Sequence, residues 1–169
     1  MSGPAHEHRL RAPASIACFV VTSSRTRTVD DDEGGRILRS GLTAAGHRIA
    51  GQRIVPDDLE ALRHLATGEA QAAGAQALLV TGGTGLSPSD CTLEAFEPLW
   101  TKRLDGFGEI FRALSFAEIG PAAMLSRAAA GAIDRLLVFA LPGSPAAVRL
   151  ALDRLILPEL GHAVGLLDG

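Results

Sequence analysis

Short apolar runs alternating with amphipathic segments constrain this chain more than any other feature. Ile16-Ala17-Cys18-Phe19-Val20-Val21, Ala77-Leu78-Leu79-Val80-Thr81 and Leu136-Leu137-Val138-Phe139-Ala140 have strand length and little polar alternation. Such runs read as strands buried on both faces. A further strand is expected over His47–Val55, broken at Gly51. Between these runs, Ile37-Leu38, Leu42 and Ala45 recur at helical spacing and stop at Gly46. Leu59, Leu62, Leu65 and Ala66 mark a second helix running toward Gly74, and Val148–Leu157 a closing helix that Pro158 should stop. Strands alternating with helices predict an α/β layered domain with a mostly parallel central sheet. From Cys91 to Ile133 there is no convincing β run; helices are expected there, with at most an irregular or edge element around Leu104–Phe111.

Length and charge narrow the function classes. The 169 residues suit one compact domain. Residues 1–14 read as a flexible tail, whose His6 and His8 read as tail histidines, and residues 15–169 as the domain. The 16 basic residues, all Arg except Lys102, are outweighed by 19 acidic ones, and no long basic run occurs. Six Phe, one Trp and no Tyr leave few stacking surfaces, so nucleic acid is not an expected partner. No run approaches the ~18 apolar residues of a membrane span, and the polar N-terminus lacks the apolar core of a secretory signal. Cys18 and Cys91 form neither a C-x-x-C pair nor a disulfide framework. A reducing, cytoplasmic location and no membrane partner are expected.

In an open α/β sheet, ligands bind beyond the carboxyl ends of the strands. Four loops take that position here: Thr22–Gly34, Pro56-Asp57-Asp58, Gly82–Asp90 and Pro142–Pro145. All four are expected to face one crevice. The sharpest motif is Thr81-Gly82-Gly83-Thr84-Gly85, directly after a buried strand. Its glycines allow special dihedrals and let backbone N–H groups approach a phosphate, although a ligand-free tight turn has the same composition. It is neither a Walker A loop nor a dinucleotide fingerprint. Asp90 can bind a divalent metal that also holds phosphates, or Asp90 or Thr92 can cap the helix beginning near Leu93. Asp57-x-x-Glu60 resembles a capping box, and a metal role for Asp57 rests on its convergence with Asp90. Ser144 followed by Pro145 is a good helix start and also an anion site. Arg127, read as part of an Ala-rich helical stretch from Ala122 to Gly131, is either an anion clamp or a solvated residue. The acidic run Asp30-Asp31-Asp32-Glu33 is a wet loop or a metal-holding segment, and Cys91 a small filler with no activating base.

These motifs together resemble the MoaB/Mog molybdopterin-binding family. Thr81–Gly85, Asp90, Thr92 and Glu94-Ala95 match its signature. So do Gly106-Phe107-Gly108-Glu109, Phe111-Arg112, Ser126-Arg127-Ala128 with Gly131, and Leu141-Pro142-Gly143-Ser144-Pro145. Asp32 with Gly34 and Gly46-His47 extend the match, which covers roughly residues 15–162. The resemblance implies a three-layer α/β/α fold, a homo-trimer or hexamer, and contact with other molybdenum cofactor biosynthesis proteins. It implies binding of molybdopterin and its adenylylation by Mg-ATP, with Mg²⁺ as the cofactor. The family's paired carboxylates fall on Asp57 and Asp90, as catalytic and metal-binding residues. Its ligand-binding segments fall on Thr81, Gly82, Gly83, Thr84, Gly85, Ser126, Arg127, Pro142, Gly143 and Ser144. Ser89 stands where many members carry Arg, and Cys91 where Val is common. That departure favours the alternative, a molybdopterin-binding or carrier protein without turnover. A purely structural protein is disfavoured by four polar, glycine-rich loops at one end of the sheet.

Overall fold

The computed structural model describes residues 13–168, so residues 1–12 of the expected 1–14 tail, with His6 and His8, lie outside the described residues. Six strands form one sheet: β1 (Ala17–Ser23), β2 (Arg48–Val55), β3 (Ala77–Thr81), β4 (Lys102–Arg103), β5 (Ala129–Ile133) and β6 (Leu136–Leu141). Their order is β2-β1-β3-β6-β5-β4. The pairs β1–β2, β1–β3 and β3–β6 are parallel, while β5 runs antiparallel to both β6 and β4. The helices are α1 (Glu33–Ala44), α2 (Leu59–His64), α3 (Ala70–Ala72), α4 (Thr92–Phe96), α5 (Asp105–Ile119), α6 (Pro145–Ala151) and α7 (Leu157–Asp168).

Successive strand residues point to opposite faces, and each face has its own core. Cys18, Val20, Leu79, Leu137 and Phe139 pack with Ile37, Leu38 and Leu42 of α1, Phe111 of α5, Val148 of α6 and Leu160 of α7. Phe19, Val21, Leu78, Val80 and Val138 pack with Leu62 of α2, Ala70 of α3, and Ala95 and Phe96 of α4. The result is the three-layer α/β/α arrangement that the resemblance implies. Helix α1 leaves β1 on one face, and α2 brings the chain back to β3 on the other. The chain therefore switches direction between β1 and β3, which opens a crevice beyond their carboxyl ends.

The segment between Cys91 and Ile133 corrects the sequence reading. It holds β4 and β5, and Leu104–Phe111 lies at the start of α5 instead of forming an edge element. Strand β5 is Ala-Ala-Gly-Ala-Ile, a composition with weak β preference. Its conformation is set by burial and pairing with β6, which local propensity does not reveal. Trp100 occupies the space over Gly131: a Cβ there would lie 2.6 Å from Trp100 Cδ2 and 2.7 Å from the Lys102 carbonyl oxygen. Pro158 does not end the closing helix either. A π turn over Leu152–Ile156 joins α6 to α7, and Pro158 falls in the first turn after it. The hydrogen-bond ladder changes register there, so the N–H that proline lacks falls at an existing break. Finally, α1 begins inside the acidic run, at Glu33, with Asp32 as its N-cap accepting from the Gly35 N–H.

The fit of Trp100 over Gly131 yields a stability prediction. Gly131→Ala should lose about 1–3 kcal/mol, the usual cost of overpacking, because one neighbour is rigid backbone. Denaturant unfolding followed by Trp100 emission measures it. An unchanged midpoint would mean that this contact does not fix β5.

Candidate functional site

The strand registers bring the loop-bearing ends side by side. Ser23 pairs with Val55, Thr22 with Thr81, and Thr81 with Leu141. All four loops contribute to one cavity of about 220 Å³, whose wall includes Ser23, Arg27, Asp32, Asp57, Gly82, Gly83, Asp90 and Gly143. A second cavity of about 410 Å³ lies beside it and shares Gly82, Gly83, Asp90 and Gly143. Thr84, Gly85, Ser126, Arg127, Pro142 and Ser144 line this second space, with Phe111, Ile119 and Leu125 as apolar walls. Every site residue named from the sequence lines one or both cavities.

The glycine loop divides them. Gly82 and Gly83 have φ of +98° and +63°, a region that disfavours any residue with a Cβ. A Cβ on Gly83 would also lie 2.5 Å from Thr92 Oγ1 and 2.6 Å from Asp57 Oδ1. Three successive carbonyls of the loop are held by neighbouring groups. The Thr92 hydroxyl donates to Gly82 O at 2.8 Å, the Thr92 N–H to Gly83 O at 2.9 Å, and Arg127 Nε to Thr84 O at 3.1 Å. In a trans peptide the N–H points opposite to the preceding C=O. The N–H groups of Gly83, Thr84 and Gly85 thus point away from these anchors, and they have no protein partner among the described residues. Successive free N–H groups in a loop of this kind form an anion-binding nest.

The carboxylates divide cleanly between structure and cavity. The cap of α2 is Asp58, whose Oδ1 accepts from the Ala61 N–H at 2.9 Å. The capping-box reading of Asp57 is therefore wrong by one residue. Asp57 Oδ1 accepts instead from the Ser23 hydroxyl at 2.7 Å, and Oδ2 has no protein partner among the described residues. Neither Asp90 nor Thr92 caps α4. The cap position is Cys91, without a side-chain bond, because Thr92 is turned back onto the glycine loop. Asp90 Oδ2 accepts from the Ser87 N–H at 2.9 Å, leaving Oδ1 without a partner among the described residues. Both aspartates thus line the smaller cavity, each with one carboxylate oxygen unengaged by the described residues. Among the described residues no cluster of three or more His, Cys, Asp or Glu side chains could hold a metal. Two carboxylates with ligand oxygens completing the shell suit Mg²⁺, which usually keeps few protein ligands.

The remaining candidates fall out by partner. Asp32 is buried and accepts from the Thr22 hydroxyl at 2.8 Å and from Arg39 at 3.3 Å, so it organises the cavity floor. Asp31 binds the Thr28 backbone N–H and hydroxyl, and Glu33 pairs with Arg149. The backbone hydrogen bond from Thr28 is the main cause that holds the Asp31 carboxyl below its ordinary range. Arg127 does not sit in a helix. It occupies an extended link between the 3₁₀ turn Gly120–Leu125 and β5, where Glu94 accepts from it at 2.7 and 2.9 Å. Ser144 caps α6, accepting from the Ala147 N–H at 3.3 Å. Burial, followed by the nearby Asp57 charge, pushes the Cys91 thiol up, which keeps it protonated at neutral pH. Sequence reasoning missed Ser23 and Arg27. The first is signalled only by its place at a strand end, the second by nothing local.

With this geometry in place, comparison with known proteins is decisive. The model of the family described as "Probable molybdopterin binding domain" matches residues 17–162. The chain belongs to the MoaB/Mog molybdopterin-binding family. It is 47% identical to the molybdenum cofactor biosynthesis protein B of Bacillus subtilis over 159 residues, spanning 94% of each chain. A crystal structure of a molybdenum cofactor biosynthesis protein B superposes with a TM-score of 0.89 at 44% identity, covering 94% of this chain and 99% of the other. The tungsten cofactor synthesizing protein MoaB of Pyrococcus furiosus superposes with a TM-score of 0.83 at 35% identity, covering 94% and 100%. No helix among the described residues is long and apolar enough to cross a membrane.

The separation of cap from cavity residue is directly measurable. Asp58→Ala should lower stability by about 1 kcal/mol, the usual cost of a lost N-cap. Asp57→Asn should change it by less, since the amide oxygen still accepts from Ser23. Paired denaturation curves check this, and the reverse ranking would return Asp57 to the helix cap.

Proposed function

We propose that this protein acts in molybdenum cofactor biosynthesis, in the cytoplasm, as a molybdopterin adenylyltransferase that uses Mg-ATP. The observation carrying this reading is the juxtaposition of a free N–H nest with two aspartates that each keep an unengaged oxygen. Family membership and the names of the relatives support the ligand class.

The reaction needs no nucleophilic side chain. A terminal phosphate oxygen of molybdopterin attacks the α-phosphorus of ATP, forming a new P–O bond. The bond from that phosphorus to the bridging oxygen breaks, and pyrophosphate leaves with the electron pair. The protein's part is positioning and charge neutralisation. The Gly83–Gly85 N–H groups cradle phosphate oxygens, and the Ala146 N–H adds one further donor at the start of α6, where Pro145 has none and Ser144 engages those of Ala147 and Val148. Ser23 fixes the Asp57 carboxylate, and Asp90 is oriented by its own loop. Asp57 and Asp90 would hold Mg²⁺, which when bound polarises phosphoryl oxygens and neutralises their charge. The second cavity, with Phe111, Ile119 and Leu125 along its wall, suits the flat apolar faces of a pterin.

A carrier that binds molybdopterin without turnover is the second reading. It is favoured by the uncharged Ser87–Ser89 pair, whose hydroxyls lie 3.0 Å apart, at the turn beside Asp90. The two readings separate on product formation. Asp57→Asn and Asp90→Asn should each stay folded, lose about a hundredfold or more in turnover, and need more Mg²⁺. A magnesium titration of adenylylated product and pyrophosphate measures this. Wild-type curves from both variants would remove the catalytic assignment, and no product from the wild type would favour the carrier.

Assembly as a homo-trimer or hexamer belongs to the same proposal, as does contact with other molybdenum cofactor biosynthesis proteins. Phe116, Ile119, Met124 and Leu125 are exposed at the end of α5 and in the turn after it, Ile119 and Leu125 also bordering the second cavity. Exposed apolar side chains grouped in this way mark association surfaces. Phe116→Asp should shift sedimentation equilibrium toward the monomer. A wild type that is monomeric at micromolar concentration would contradict the assembly.

A further inference from the structure

Arg127 and Glu94 form a pair that the proposed chemistry does not use. Arg127 Nη2 donates to both Glu94 carboxylate oxygens, at 2.7 and 2.9 Å, while its Nε donates to Thr84 O at 3.1 Å. The pair stands between the glycine-loop cavity and a further cavity of about 430 Å³ that Arg127 and Glu94 both line. The side chains are 29% and 49% exposed, so their attraction adds little to stability. Its effect is directional. A guanidinium is a rigid planar group, and holding its Nη2 against a carboxylate fixes the plane and so aims the Nε–H beside it. Here that N–H meets the third anchored carbonyl of the loop.

We infer that Glu94 is a positioning residue: it orients Arg127, which holds the Thr84 carbonyl and so aims the Gly85 N–H of the same peptide plane into the anion nest. Arg127 then acts on the ligand through the loop backbone, in place of the direct anion clamp considered from the sequence. The partner class is a phosphate or polyphosphate group. This inference rests on the phosphate-cradle part of the proposed function and not on turnover. The Thr92 contacts hold Gly82 and Gly83 independently, so loss of Glu94 should perturb the loop locally without unfolding it.

The test uses full-length protein, inorganic pyrophosphate as the probe, and amide NMR signals of Gly83, Thr84 and Gly85 as the readout. In the ligand-free state, Glu94→Gln should move the Gly85 amide more than the Gly83 amide. Its pyrophosphate affinity should fall roughly tenfold, the scale of one charge-assisted hydrogen bond. Arg127→Met should produce the same loss, and the double variant should be no weaker than Arg127→Met alone, since Glu94 acts only through Arg127. Should Arg127→Met fail to fold, Arg127→Lys supplies the cycle, because lysine keeps the charge but has no second nitrogen to hold the Thr84 carbonyl while it meets Glu94. Additive losses, wild-type affinity in Glu94→Gln, or no response of the wild-type loop amides to pyrophosphate would each overturn the inference. Coupled losses in a protein that makes no adenylylated product would retain it and retire the enzymatic reading.

Discussion

Three hydrogen bonds to consecutive carbonyls, on Gly82, Gly83 and Thr84, are the constraint on which the site depends. Each contributes modestly to stability, on the order of 1 kcal/mol for the two neutral bonds from Thr92 and about 1.5–3 kcal/mol for the one from the Arg127 guanidinium. Together they fix which way the loop's peptide planes face. With the carbonyls held by α4 and by the link into β5, the free N–H groups can only face the opposite side. Positive φ at Gly82 and Gly83 permits that path. Thr92 at the start of α4 is thus a loop anchor first and a helical residue second.

The sheet decides where this loop can matter. Chain reversal between β1 and β3 puts α1 and α2 on opposite faces and leaves the strand ends uncovered. Asp57 arrives from the end of β2, Asp90 from the far side of the glycine loop, and Ser144 from the start of α6. Each is supplied by a different connection, which is how a small domain gathers several polar groups without burying them in its core. The buried carboxylate of Asp32 shows the contrast. It has a hydroxyl, a backbone N–H and a guanidinium as partners, and so holds structure in place.

Much of this was legible in the sequence. The central strands announce themselves as apolar runs, and the Thr81–Gly85 motif marks the turn that follows β3. Convergence of the four loops follows from element order. The misreadings have physical causes. Strand β5 carries alanines and a glycine because Trp100 and the neighbouring backbone leave no room at Gly131, so composition hides it. Asp57 and Asp58 are adjacent aspartates, and only the backbone path shows that Asp58 turns onto the helix. Arg127 looked helical because its neighbours are alanines, which here lead into and form strand β5. Pro158 looked like a terminator because a π turn leaves no clear mark in local composition. Arg27 was invisible, since its approach to the cavity depends on how the loop after β1 folds back.

The central claim is that the anchored glycine loop holds phosphate beside Asp57 and Asp90. A crystal structure of this protein with molybdopterin, Mg²⁺ and a non-hydrolysable ATP analogue tests it most directly. The expected result has phosphate oxygens within hydrogen-bond distance of the Gly83, Thr84 and Gly85 N–H groups, and the metal ligated by Asp57 and Asp90. Phosphates bound elsewhere on the surface, with those N–H groups and both carboxylates still unengaged, would contradict it.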